Sequence, residues 1–193
     1  MLNYLLKRVL FTGFLIISGS FLLSAQTNLK LKFKRSTVYA GIEVGSKGVK
    51  MSLIEMNRNS KKNSNYNIVT DTSVNTDFIS FDSPTFEATL NALLGLYETA
   101  KDFYQISPDK IFTVVSSGVK VSAEKDDKTS WIQALVDSFK LRTHDPNRKV
   151  EVIGPEEEAR LSHLGIVPAS KRFTTFLIDI GSGNTKGGYF PSD

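Results

Sequence analysis

The sequence predicts an α/β fold, a lobe built on a mixed five-stranded sheet with helices, followed by the first hairpin of a second lobe. Three observations carry this expectation. Two apolar segments joined by a short turn form an early hairpin, later strand-like runs alternate with helical stretches, and the motif closing the first strand returns near the end of the chain.

Composition narrows the chemistry before any motif is read. The chain has 193 residues, 40% hydrophobic and 23% charged, which suits one ordinary globular domain with its own core. There is no cysteine, so disulfide frameworks, thiolate nucleophiles and cysteine zinc sites are excluded. The only histidines are His144 and His163. A bound metal must then rely on carboxylate and phosphate oxygens, as a hard cation such as magnesium does.

Residues 1–25 read as a secretory signal. Lys7 and Arg8 precede an apolar run from Val9 to Leu23, and Ser24-Ala25 offers small residues for cleavage. The rival reading is a membrane anchor over residues 9–25, because the run is nearly long enough to span a bilayer. Without Lys7 and Arg8, 22 basic side chains face 20 acidic ones, a balance too even to suggest a nucleic-acid partner. The expected location is exported, periplasmic or in the cell envelope. Nucleoside triphosphate is scarce there, which favours a hydrolase or a binder over a kinase. A homodimer stays open.

Residues 26–37 are a linker or an extra basic strand, since Leu29, Leu31 and Phe33 alternate with Lys30, Lys32 and Lys34. Val38 to Val44 and Val49 to Met56 are strands joined by Gly45-Ser46-Lys47-Gly48. Asn57 to Asn65 is a polar loop, and Tyr66 to Thr72 adds a third antiparallel strand. Ser83 as N-cap and Pro84 at the first helical position start a helix whose stripe, from Phe86 through Leu90, Leu93 and Tyr97 to Ala100 and Tyr104, faces the core. Ile111 to Val115 is a buried parallel strand. A second helix lies within Glu124 to Leu141 and carries Trp131, Leu135 and Phe139. Val150 to Ile153 is the fifth strand and Pro155 to Leu164 the third helix. Phe173 to Ile180 is another buried strand, and Lys186 to Phe190 begins its hairpin partner.

This order fits a ribonuclease H-like lobe over residues 38–172 and the start of a second over 173–193. Ile42-Glu43-Val44-Gly45-Ser46 is echoed by Ile178-Asp179-Ile180-Gly181-Ser182. A duplicated lobe with one phosphate loop per copy resembles the plan of the actin-like ATPase superfamily.

Each loop places a carboxylate at a strand end, followed by glycine and serine. Glycine allows close backbone approach, exposed N–H groups form a concave anion site, and the hydroxyl adds a donor. Gly45, Ser46 and Lys47 in the first loop, with Gly181, Ser182, Gly183 and Asn184 in the second, are therefore phosphate-binding candidates. The carboxylates of Glu43 and Asp179 suit a magnesium ion or its waters bridging to phosphate. Neither loop matches the P-loop or dinucleotide fingerprints.

The third element is Gly154-Pro155-Glu156-Glu157-Glu158-Ala159-Arg160. Acids favour the positive end of a helix, which accounts for Glu156 and Glu157. Helical spacing sets Ser162 and Gly165 beside Glu158, with Arg160 and His163 pointing elsewhere. A carboxylate in such a groove can take the proton of a water attacking phosphorus. His163 reads as a surface or packing residue.

With Ser116-Ser117-Gly118-Val119-Lys120, the acidic helix start through Leu161, and Asp179 to Thr185, the chain from about Tyr39 onward resembles the first lobe of the exopolyphosphatase and guanosine pentaphosphate phosphohydrolase family. The resemblance implies release of terminal phosphate from polyphosphate or a related phosphoanhydride, with magnesium. It implies Glu158 as general base, Asp179 as the acid of the second loop, Gly181 to Thr185 as the phosphate cradle, and Lys120 in place of a phosphate-binding arginine. The sequence departs from that pattern at Glu43, where aspartate is usual, at Lys47-Gly48, and at Lys186, which replaces an acid. The expectations are an exported phosphohydrolase or, as the alternative, a catalytically degenerate phosphate-binding or scaffolding protein of the same fold, or a fragment of a longer enzyme. An actin-like ATPase or sugar kinase sits badly with export and with the acidic helix.

Overall fold

The computed structural model describes residues 29–57 and 66–191. The segment read as a signal and nearly all of the polar loop lie outside the described residues. Among the described residues, no helix is long and apolar enough to cross a membrane.

Strands β1 (Ser36–Gly45), β2 (Gly48–Asn57) and β3 (Tyr66–Asn75) form an antiparallel trio, and β4 (Ile111–Val115) and β5 (Val150–Val152) continue the sheet in parallel. The order is β3-β2-β1-β4-β5, the mixed five-stranded sheet expected. Period-two alternation explains one face of it. Ala40, Ile42 and Val44 on β1 and Val49, Met51 and Leu53 on β2 are almost fully buried and meet the helices.

Helix α1 (Ser83–Glu98) packs Leu90, Leu93 and Tyr97 into this core, and a wider π-type turn over Thr99–Phe103 adds Ala100. Its cap is one residue earlier than expected. Asp82, in extended backbone, accepts the Thr85 N–H at 2.8 Å, and Ser83 is already helical. The expected second helix is α3 (Thr129–Arg142), and a separate helix that the sequence did not lead one to expect, α2 (Ser117–Lys125), precedes it. The break falls where Asp127 takes a left-handed φ of 56°. In α3, Leu135 and Phe139 are fully buried, and Tyr97 meets the Phe139 ring edge-on at 5.6 Å. Helix α4 (Pro155–Ile166) follows β5.

Over residues 29–35 the basic segment before β1 is no strand. Its backbone is bent over residues 32–35 because its donors are used elsewhere: the N–H groups of Lys32 and Phe33 reach the Glu55 carboxylate at 2.7 and 2.9 Å. Alternation along β2 turns Glu55 to the core face, where it is fully buried, and Ser36 and Asn67 complete its partners.

A short 3₁₀ stretch (Ala169–Thr174) leads to β6 (Leu177–Ile180), which pairs with β7 (Thr185–Gly188) in a separate two-stranded sheet. The expectation of a buried strand fails here. Ile178 and Ile180 are 64% and 79% exposed, because the described residues supply β6 with one partner strand and no layer over its outward side.

Candidate functional site

The sheet turns its strand ends toward one place. β1 passes to β2 by the Ser46-Lys47 turn while the adjacent parallel β4 passes to α2, and such diverging connections open the crevice where α/β sheets commonly take ligands. A cavity of about 430 Å³ lies there, walled by the first loop, the start of α2, α4 and the β6–β7 hairpin. Glu43, Glu158 and Asp179 all line it, as do Gly45, Ser46, Lys47, Gly181, Ser182, Gly183 and Asn184.

Glu158 is held from two sides. One oxygen accepts the Ser117 N–H at 2.7 Å, at the positive end of α2, and the other lies 3.0 Å from the Lys186 ammonium. Ser162, one turn along α4, lines the cavity beside it. The other acids of that helix start do different work. Glu157 forms a two-pronged pair with Arg160 at 2.8 and 2.9 Å, and Glu156 faces a separate groove. His163 is buried, with its Nε2 3.0 Å from the Thr175 carbonyl and its ring against Phe190, a packing position.

Lys186 also lies 2.9 Å from Asp179, its cross-strand partner in the hairpin. The lysine side chain is 7% exposed. Burial alone would lower its pKa, but the hydrogen bonds and charges of Asp179 and Glu158 outweigh that and hold it above the ordinary lysine value. Glu43 goes the other way for an acid. Burial pushes its carboxyl up, Glu158 and Asp179 push in the same direction, and Lys50 and Lys186 oppose them.

The two loops touch through glycine. A Cβ on Gly183 would stand 2.2 Å from Ser46 Oγ and 2.9 Å from Gly118 Cα, so only glycine admits this approach. The second loop is a tight turn, with the Gly181 N–H donating to the Asn184 carbonyl at 2.9 Å, and Asn184 Nδ2 ties it to Ser117 Oγ at 2.8 Å. Ser182 and Gly183 then face the cavity.

Three sequence candidates sit differently from the rest. Lys47 lines the cavity, but its ammonium is paired with Asp77 at 2.5 Å. Lys120 is outside the lining, 3.7 Å from Glu124 on its own helix and near Gly154. Thr185 belongs to β7, paired with Ile180, and faces the separate groove. Three lining residues escaped the sequence reading: Ser73 and Asn75 at the end of β3, and Lys50, directly across the hairpin from Glu43. The turn and the alternation of β2 imply the Glu43–Lys50 pairing.

The resemblance implies a magnesium ion here. Among the described residues no group of three or more His, Cys, Asp or Glu side chains is arranged to hold a metal. An ammonium already lies between Asp179 and Glu158. A divalent ion sharing the two carboxylates would have to displace that ammonium or stand beside it, where at about 4 Å and an effective dielectric constant near 20 its repulsion, about 8 kcal/mol, cancels what one carboxylate at that distance contributes. The place between these two carboxylates does not fit magnesium.

Comparison with known proteins bears on the fold. No protein-family model matches the chain, and no curated protein matches it. Solved structures do. The Aquifex aeolicus member of the Ppx/GppA family superposes with a TM-score of 0.57 at 17% identity, over 78% of this chain and 46% of the other. A second structure of the Aquifex aeolicus PPX-GPPA enzyme gives 0.58 at 17%, over 81% and 49%. An exopolyphosphatase from Cytophaga hutchinsonii gives 0.54 at 14%, over 80% and 51%. The chain thus has the α/β fold of these proteins and spans about half their length.

Proposed function

We propose that this chain, folded like the Ppx/GppA structures, forms the phosphate-binding wall of an exported exopolyphosphatase-type phosphohydrolase. The substrate class is polyphosphate or a related phosphoanhydride. The observation that carries this reading is the convergence of both glycine-serine loops and Glu158 on one cavity. In this reading the terminal phosphate rests against Ser46, Ser182 and Gly183, with Lys50 and Lys186 balancing its charge. Glu158 accepts a proton from a water as its oxygen bonds to the terminal phosphorus. The bridging P–O bond breaks, and the shortened phosphate chain leaves with the electron pair. No step passes through magnesium.

A second reading is binding without turnover. The pairing of Glu158 with both Lys186 and the Ser117 N–H favours it, since a carboxylate engaged on both oxygens is a weaker base.

One experiment separates the two: phosphate release and calorimetric binding measured on the same sample with tripolyphosphate. The phosphohydrolase reading expects release that falls about 10²- to 10⁴-fold in Glu158→Gln with binding retained. Release indifferent to that change overturns it, binding with no release selects the second reading, and absence of binding rejects both.

A further inference from the structure

We infer that the Lys186 ammonium is a tethered cation for this cavity, taking the place of a metal ion, so that a phosphoanion binds here without any divalent metal. The inference rests on the phosphate reading of the cavity and deepens it.

The position of Lys186 is built into the fold. Hairpin register sets Lys186 opposite Asp179, one pair in from the Ile180–Thr185 pair that closes the strands before the Gly181–Asn184 turn. The ammonium is carried to the same depth as the second loop, and α4 brings Glu158 to its other side at 3.0 Å. An ammonium has three N–H donors. Asp179 and Glu158 take two, and Lys186 lines the cavity, so the third donor is available to a ligand oxygen there. The two carboxylates play the part that ligating carboxylates play toward a metal, fixing a positive charge in one spot. A flexible surface lysine loses conformational freedom when it captures an anion, and this one is already immobilised.

The acids of the wall make the site sensitive to this lysine. Glu43, Asp179 and Glu158 would repel phosphate if left bare; Lys186 offsets Asp179 and Glu158 by direct contact, Lys50 lies across the hairpin from Glu43, and Lys47 is turned to Asp77. Removing Lys186 therefore deletes an attractive charge and exposes two repulsive ones at once.

The test is calorimetric titration of the full chain with tripolyphosphate, in EDTA and again with magnesium. Saturable binding of equal affinity in both buffers is expected. Lys186→Met should weaken binding in EDTA about tenfold or more, the scale of one lost charge-assisted hydrogen bond, whereas Lys186→Arg should retain it within about threefold. Tryptophan fluorescence from Trp131 checks that each variant is folded. Electron paramagnetic resonance titration of the unmodified chain with Mn²⁺ should show no saturable site. Tripolyphosphate binding that requires magnesium, undiminished binding by folded Lys186→Met, or a saturable Mn²⁺ site lost in Glu158→Gln would overturn the tethered cation. If Lys186→Met does not fold, the EDTA comparison and the Mn²⁺ titration still decide. Absence of binding in both buffers overturns the phosphate reading itself, a distinct outcome.

Discussion

Buried charge in this protein is handled one residue at a time, and Glu55 and Glu43 respond to it oppositely. Burial would raise the pKa of Glu55, but hydrogen bonds from Ser36, Lys32, Phe33 and Asn67 outweigh it and bring the carboxyl below its ordinary value of 4.5. A lowered folded-state pKa gives stability that is complete above the ordinary value and lost as pH falls through the folded one. Glu55→Gln should cost about 1–3 kcal/mol at neutral pH, read from urea unfolding, and should flatten the acid limb of the stability profile. Glu43 has the raised value, so its contribution is most favourable at low pH and declines as pH climbs from 4.5 through the folded value. Glu43→Gln is expected to raise stability at neutral pH, and an unchanged melting temperature would count against the burial argument.

At the scale of elements, the site depends on how the second loop meets the first. Gly183→Ala would drive a methyl group into Ser46 and the Gly118 backbone, so the loops must part. Tripolyphosphate affinity should fall by about tenfold or more. Helix α1 offers a check independent of the site: Asp82→Ala removes its cap and should cost about 1 kcal/mol in urea unfolding. Elements also differ in how readable they were. The strands of the sheet and α1 followed from period and turn chemistry, because their patterns are local. The separate helix α2 did not, since Gly118 and several polar residues dilute its pattern. The basic segment before β1 alternates like a strand yet bends, and the carboxylate that bends it is more than twenty residues away.

For the whole molecule, the repeated strand-carboxylate-glycine-serine motif was enough to foresee that Glu43 and Asp179 share one cavity, and helical spacing brought Glu158 and Ser162 together. The contact between Ser117 and Glu158 was not legible, since 41 residues separate them and only the packing of α2 against α4 joins them. Lys186 was visible as a departure, and hairpin register turned it into a structural part of the site. The core is the most predictable level. Phe139→Ala, in a fully buried position, should lose about 3–5 kcal/mol.

In the proposed function both glycine-serine loops and Glu158, held by the start of α2, act as one phosphate site. The most direct test of this is an amide ¹H–¹⁵N chemical-shift titration of the chain with tripolyphosphate. The expected result is saturable shifts concentrated at Ser46, Ser117, Gly118, Ser182 and Gly183, moving together with one affinity. Shifts scattered over the exposed lysines, or confined to one loop while the other stays still, would contradict it.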